Sequence, residues 1–207
     1  MTTLSQILEH KIVAIIRGAA PDDVMKIAGA LHAGGVRLLE ITLNSLNALE
    51  LINHLSQNMR GKMLIGAGTV LDAGSTRAAV EAGAQFIISP CFSNDVIKIT
   101  KELGAVSMPG AYTPTEIVNA FNCGGDIIKV FPASSNVNYI KEIRAPLPHI
   151  PLMPTGGVSL ENIAEFKKAG AVAFGIGTAL VNTKEKVTED YLVKLQENAR
   201  AFVSAVS

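Results

Sequence analysis

Apolar and polar positions follow two rhythms along this chain. Short apolar runs recur as IVAIIR (12–17), VRLLEIT (36–42), MLIGAGT (63–69), QFIIS (85–89), AVSMP (105–109), DIIKVF (126–131), PLMPT (151–155) and AVAFGI (171–176). Their β-branched and aromatic content suits strands covered on both faces. Longer amphipathic segments lie between them. Several open on helix-start signals: Pro21-Asp22-Asp23, Thr113-Pro114-Thr115-Glu116 and Ser159-Leu160-Glu161. Glycine then marks the return from helix to strand, in AGGV at Ala33, AGAQ at Ala82, LGAV at Leu103, CGGD at Cys123 and AGAV at Ala169.

Strand starts spaced by roughly 20 to 27 residues match a tight strand–helix unit. Eight such units, with no linker or low-complexity break, predict one α/β domain over residues 1–207: a small (β/α)₈ TIM barrel preceded by a short N-terminal helix. An open doubly wound sheet would need a glycine fingerprint in its first strand–helix turn, and IIRGAAPDD has none.

Side chains along a strand alternate faces, so the barrel reading assigns an interior. If Lys129 points inward, so do Ile127 and Phe131. Leu38, Glu40 and Thr42 share a face, as do Val13, Ile15 and Arg17, and the same offset assigns Ile65, Ala67 and Thr69 to the interior. On each strand an apolar residue comes first and a polar one follows toward the C-terminal end, where barrel active sites form.

Composition narrows the partners. The 207 residues are 48% hydrophobic and 17% charged, with 18 basic against 18 acidic side chains. That balance gives no electrostatic reason to expect nucleic acid or an anionic membrane. Cys91 and Cys123 have no close spacing, which points to a reducing compartment. The opening MTTLSQILEHKIVAII lacks the order of a secretory signal, and the weakly polar run 171–181 is broken by Gly175, Gly177 and Thr178. A cytoplasmic protein is expected.

The chemistry centres on Lys129, a cation inside the run IIKVF. A snorkelling stem or a structural ion pair with Glu40 would be the bland explanation. Placed with Glu40, Arg17 and Thr69 at matching depth, the lysine instead reads as functional. Apolar surroundings disfavour its ammonium form, and a neutral amine attacks ketones to give a Schiff base. Glu40 is the group available to move the protons such a reaction requires. One lysine and one glutamate suffice for an aldolase with no cofactor. A metal-dependent lyase would need ligands from His10, His32, His54 or His149, none of which pairs with another His or Cys at ligand spacing. A phosphosugar isomerase would leave Lys129 unexplained, and a non-catalytic sugar-phosphate binder would need neither charge inside.

PTGGVSLEN (154–162) follows the seventh strand and GIGTALV (175–181) the eighth. The loops after these strands are the usual phosphate site of a barrel. Gly156, Gly157 and Gly177 let backbone N–H groups approach an anion, and Thr178 adds a hydroxyl.

The motifs LEIT around Glu40, IGAGTV (65–70), ISP ending at Pro90, MPGAYTPTE (108–116), IKVFPA around Lys129 and PTGGV, in order from about Leu4 to Val203, resemble those of the 2-dehydro-3-deoxy-phosphogluconate aldolases. That family includes 4-hydroxy-2-oxoglutarate and phosphogalactonate variants. The resemblance implies that Lys129 forms a Schiff base with the keto acid and that Glu40 is the general acid/base, working through a water. It implies that Arg17 and Thr69 hold the pyruvyl carboxylate and that Pro90 and Phe131 line the pyruvyl pocket. Thr155, Gly156, Gly157, Gly177 and Thr178 would then hold the phosphate end. It also implies a homotrimer acting on a small keto-acid phosphate in Entner–Doudoroff-type carbohydrate metabolism. Asn44 stands where many phosphogluconate members have Arg. An Asn cannot pair a carboxylate bidentately, which leaves more of that task to Arg17.

Overall fold

A computed structural model describes residues 1–134 and 136–207. Each predicted apolar run becomes a strand. β1 (Ile12–Ile16), β2 (Leu38–Thr42), β3 (Leu64–Gly68), β4 (Phe86–Ile88) and β5 (Val106–Met108) pair in parallel with their chain neighbours. β6 (Gly110–Ala111), β7 (Ile128–Val130) and β8 (Leu152–Pro154) follow, and β9 (Phe174–Ile176) pairs with β1. The helices are α1 (Thr3–His10), α2 (Pro21–Ala33), α3 (Ala48–Asn58), α4 (Ala73–Glu81), α5 (Asn94–Glu102), α6 (Pro114–Asn122), α7 (Val137–Arg144), α8 (Ile163–Lys168) and α9 (Glu189–Val206).

The expected single ring of strands is not closed: the strands form two parallel ladders, β5-β4-β3-β2-β1-β9 and β6-β7-β8. The break between them is chemical. The fifth apolar run ends at Pro109, which has no N–H to donate and separates β5 from β6. Pro90 faces the same seam, and the Gly110 N–H turns to the Ser89 hydroxyl at 3.4 Å. The Pro109 carbonyl still accepts from the Lys129 N–H at 2.9 Å, so the chain runs from one ladder into the other. At the second seam, between β8 and β9, the contact is the bridge Thr155↔Gly175, together with Val172 N–H donating to the Leu152 carbonyl at 3.0 Å.

Helix signals act where they were read, with one exception. Thr113 and Glu116 form a reciprocal capping box at the start of α6, and Pro21 opens α2. At Ser159 the signal gives a turn, closed by Ser159 N–H to Asn162 Oδ1 at 2.9 Å, and α8 starts only at Ile163. The helix-to-strand turn after α4 needs Gly83 at φ 107°, a left-handed conformation that side chains resist.

Two apolar layers result. The outer one packs Ile12, Ala14, Leu39, Ile41, Ile128 and Val130 against helix residues such as Ile27 and Ile52. The inner one joins Val13, Leu38, Leu64, Phe86, Ile127 and Met153, with Ile7 of α1 packed into it from the N-terminal end. The alternation read for β1, β2 and β7 therefore holds. In β3 it is reversed: Ile65 and Ala67 belong to the outer layer, while Leu64 faces in. Gly66 and Gly68 take the inner positions because their neighbours fill the space. A Cβ at Gly66 would strike the Phe86 ring, and one at Gly68 would strike the Glu40 carboxyl.

Candidate active site

The register Ile15↔Glu40↔Gly66 puts Glu40 on the inner face of β2, and Gly110↔Lys129↔Met153 puts Lys129 on the inner face of β7. Glu40 is 0% and Lys129 4% exposed. Neither side chain makes a hydrogen bond or ion pair among the described residues, and both Glu40 oxygens are buried without a partner. The Lys129 Nζ lies 5.0 Å from the centroid of the Phe131 ring. The Phe131–Pro132 peptide is cis.

Burial sets the electrostatics. It pushes the Lys129 amine below the ordinary lysine range; the Arg17 charge pushes the same way, and Glu40 opposes both. It lifts the Glu40 carboxyl above the ordinary carboxylate range, with Lys129 and then Arg17 pulling it back. Each group is thus held toward its neutral form by lack of water, and the pair is coupled through space without touching. That combination can chemically supply a nucleophilic amine and a proton carrier close to one another.

A cleft of about 730 Å³ opens nearby. Ile15, Arg17, Phe131, Thr155, Gly156, Gly157, Gly177 and Thr178 line it. Glu40 and Lys129 themselves do not; they adjoin it through Ile15, in register with Glu40, and through Phe131, whose ring lies beside Lys129. Gly156 and Gly157 have φ of 84° and 80°, two successive left-handed residues that turn the chain around the cleft. The Thr155 hydroxyl is buried and makes no hydrogen bond among the described residues. Gly175 leaves room for it, since a Cβ there would meet Thr155 Oγ1.

The remaining sequence-predicted positions do not line this cleft. Thr69 follows β3 in a left-handed conformation (φ 58°) and is half-buried, Pro90 is half-buried beyond β4, and Asn44 is exposed on the turn after β2. The sequence reading missed other cleft residues: Ser159, Glu161, Thr183 and Lys184. Ser159 and Glu161 fall inside the motif PTGGVSLEN, where only the glycines were weighed. Thr183 and Lys184 follow the last strand with no motif to mark them.

A sequence model described as "Aldolase: KDPG and KHG aldolase" matches residues 4–195. The chain belongs to the KDPG and KHG aldolase family. It is therefore an aldolase, a carbon–carbon lyase by class. The 2-dehydro-3-deoxy-6-phosphogalactonate aldolase of Escherichia coli (strain K12) is 34% identical over 196 residues, covering 94% of this chain and 93% of that protein. The 2-dehydro-3-deoxy-phosphogluconate aldolase of Pseudomonas aeruginosa is 37% identical over 160 residues, covering 76% and 72%. Among solved structures, the KDPG aldolase from Legionella pneumophila, described with pyruvate captured as a covalent carbinolamine, superposes with a TM-score of 0.87. It is 26% identical, over 97% of this chain and 98% of that one.

Proposed function

We propose that this aldolase is a class I enzyme cleaving 2-dehydro-3-deoxy-6-phosphogluconate, the related phosphogalactonate or 4-hydroxy-2-oxoglutarate to pyruvate and an aldehyde, glyceraldehyde 3-phosphate in the phosphorylated cases. The observation that carries the reading is Lys129, a buried amine with no ion pair among the described residues, near a buried carboxylate equally without one among them. The carbinolamine of the Legionella relative is the adduct that an amine and pyruvate form.

Neutral Nζ of Lys129 adds to the C2 ketone, and neutral Glu40 gives its proton to the departing hydroxyl, so that loss of water leaves a protonated Schiff base and an ionised Glu40. Ionised Glu40 takes the C4 hydroxyl proton through a water. The C3–C4 bond breaks, the aldehyde departs, and the bonding electrons pass through an enamine to the nitrogen. The proton on Glu40 is then returned to C3, and hydrolysis frees pyruvate and the amine. Arg17 and Thr69 hold the pyruvyl carboxylate, Pro90 and Phe131 form its wall, and Thr155, Gly156, Gly157, Gly177 and Thr178 receive the phosphate. Asn44 stands at the mouth.

In the same reading the two ladders work as one eight-unit barrel in one domain over residues 1–207, joined through Pro109 and the Thr155↔Gly175 bridge. The protein is read as a cytoplasmic homotrimer. Free Cys91 and Cys123 support the reducing compartment, and among the described residues no helix is long and apolar enough to cross a membrane. Exposed Leu46, Leu71 and Tyr112, on loops at the C-terminal ends of the strands, support association.

Incubation with pyruvate and borohydride tests the chemistry. The reduced adduct is expected on the peptide containing Lys129. Labelling of another lysine, or none, overturns the assignment in favour of an isomerase or a binder.

A further inference from the structure

At the opposite end of the strands from the Lys129 cleft, a second cavity of about 560 Å³ opens. It lies between the ends of α1 and α2 and the turns that lead into β3 and β4. His10, His32, Arg37, Arg60 and Lys62 line it, and no carboxylate does. For a chain of 18 basic and 18 acidic side chains, that concentration of one sign is uneven. None of the five makes an ion pair among the described residues.

Arg37 is held in place rather than merely solvated. Arg37 Nη1 donates to the carbonyls of His32 at 2.9 Å and Val36 at 3.0 Å, which fixes the guanidinium at the C-terminal end of α2. Its Nε and Nη2 donors have no partner among the described residues. His32 is half-buried beside it, and burial, then the Arg37 and Lys62 charges, disfavour its protonated form, so the cations crowd one another. Gly61 and Gly83 bring backbone to the wall, and Met63 and Leu64 give an apolar base. The two cavities share no lining residue.

We propose that this cavity is a second binding site, for a small anion of the diphosphate class. Its volume falls within the range of small-molecule pockets, about 300–1,000 Å³. A single carboxylate would leave most of the crowded positive charge unbalanced, whereas linked phosphates present several oxygens to a guanidinium fork and to lysine together. The concave shape suits a compact ligand, not a polymer backbone.

Inorganic pyrophosphate is the probe, titrated into the full ¹⁵N-labelled chain and followed by TROSY spectra. The Gly61 and Gly83 amides report this cavity and the Gly177 amide reports the Lys129 cleft. Saturating shifts at Gly61 and Gly83 are expected, with a Kd below about 1 mM. Arg60 and Lys62 are exposed, so the R60Q/K62Q variant should fold as the parent does. It should bind pyrophosphate at least about tenfold more weakly at Gly61 and Gly83, while Gly177 responds as before and aldol cleavage is unchanged. Shifts that do not saturate, shifts reproduced by sodium chloride at matched ionic strength, or undiminished binding by R60Q/K62Q would each overturn the proposal.

Discussion

Replacing Lys129 with Met and Glu40 with Gln in one protein removes both buried charges while keeping side-chain volume. Neither group is relieved by a direct partner, and buried ionic groups replaced by neutral ones of similar size commonly leave a protein more stable. The K129M/E40Q variant is expected to gain about 1–4 kcal/mol at neutral pH in urea denaturation and to lose all turnover. The pH dependence follows from the two directions. Glu40 has a folded pKa above its unfolded value of 4.5, so its penalty is absent below 4.5, grows as pH rises from there and is complete at the folded value. Lys129 has a folded pKa below its unfolded value of 10.5, so its penalty is present below the folded value and fades toward 10.5. The stability gap between variant and parent should therefore widen above pH 4.5 and narrow again on approach to 10.5; a gap independent of pH would refute the assignment of the shifts. These two residues were legible because an ammonium or carboxylate in an apolar run has no ordinary excuse. Ser45 and Thr183 were not. Ser45 Oγ accepts from the Gly18 N–H at 2.9 Å, and Thr183 Oγ1 donates to the Arg17 carbonyl at 2.8 Å, pinning the Arg17 turn from two loops remote in sequence. Nothing local in the chain announces such a clamp.

Among the elements, β3 is the one whose phase misled. The run MLIGAGT has apolar side chains at Ile65 and Ala67, and an alternation rule naturally sends the larger residues inward. The inner positions belong to Gly66 and Gly68 because residues from neighbouring strands occupy that space, and a neighbour's bulk is not written in the strand itself. Gly68→Ala tests the point. Its methyl group would displace the Glu40 carboxyl, and a displaced catalytic group lowers turnover by about 10²-fold. Steady-state kinetics should show that loss in kcat, while pyruvate and borohydride still label Lys129. Parent-like kcat would mean that Glu40 has room to spare. The turn at Ser159 failed differently: its side chain bonds Glu161 and its N–H bonds Asn162, so the residues read as a helix start close a loop at the cleft instead.

For the molecule as a whole, strand order was readable because glycine punctuation and regular spacing leave few arrangements of parallel strands. The seam at Pro109 was less so. The proline was visible, but its effect depends on the Pro90 backbone lying against Gly110 beside it, a relation that only the folded sheet creates. Assembly is also a property of this scale. Leu46, Leu71 and Tyr112 are 69%, 58% and 46% exposed at the mouth end. Light scattering on the eluted protein is expected to give the mass of three 21.8 kDa chains, and a monomer mass would remove the homotrimer from the reading.

Lys129 rides on the three-stranded ladder and Glu40 on the six-stranded one. The proposed nucleophile and the proposed proton carrier thus sit on opposite sides of two weakly stitched joints. A slight opening at Pro109 or at the Thr155↔Gly175 bridge would alter the gap between amine and carboxylate without unfolding either half.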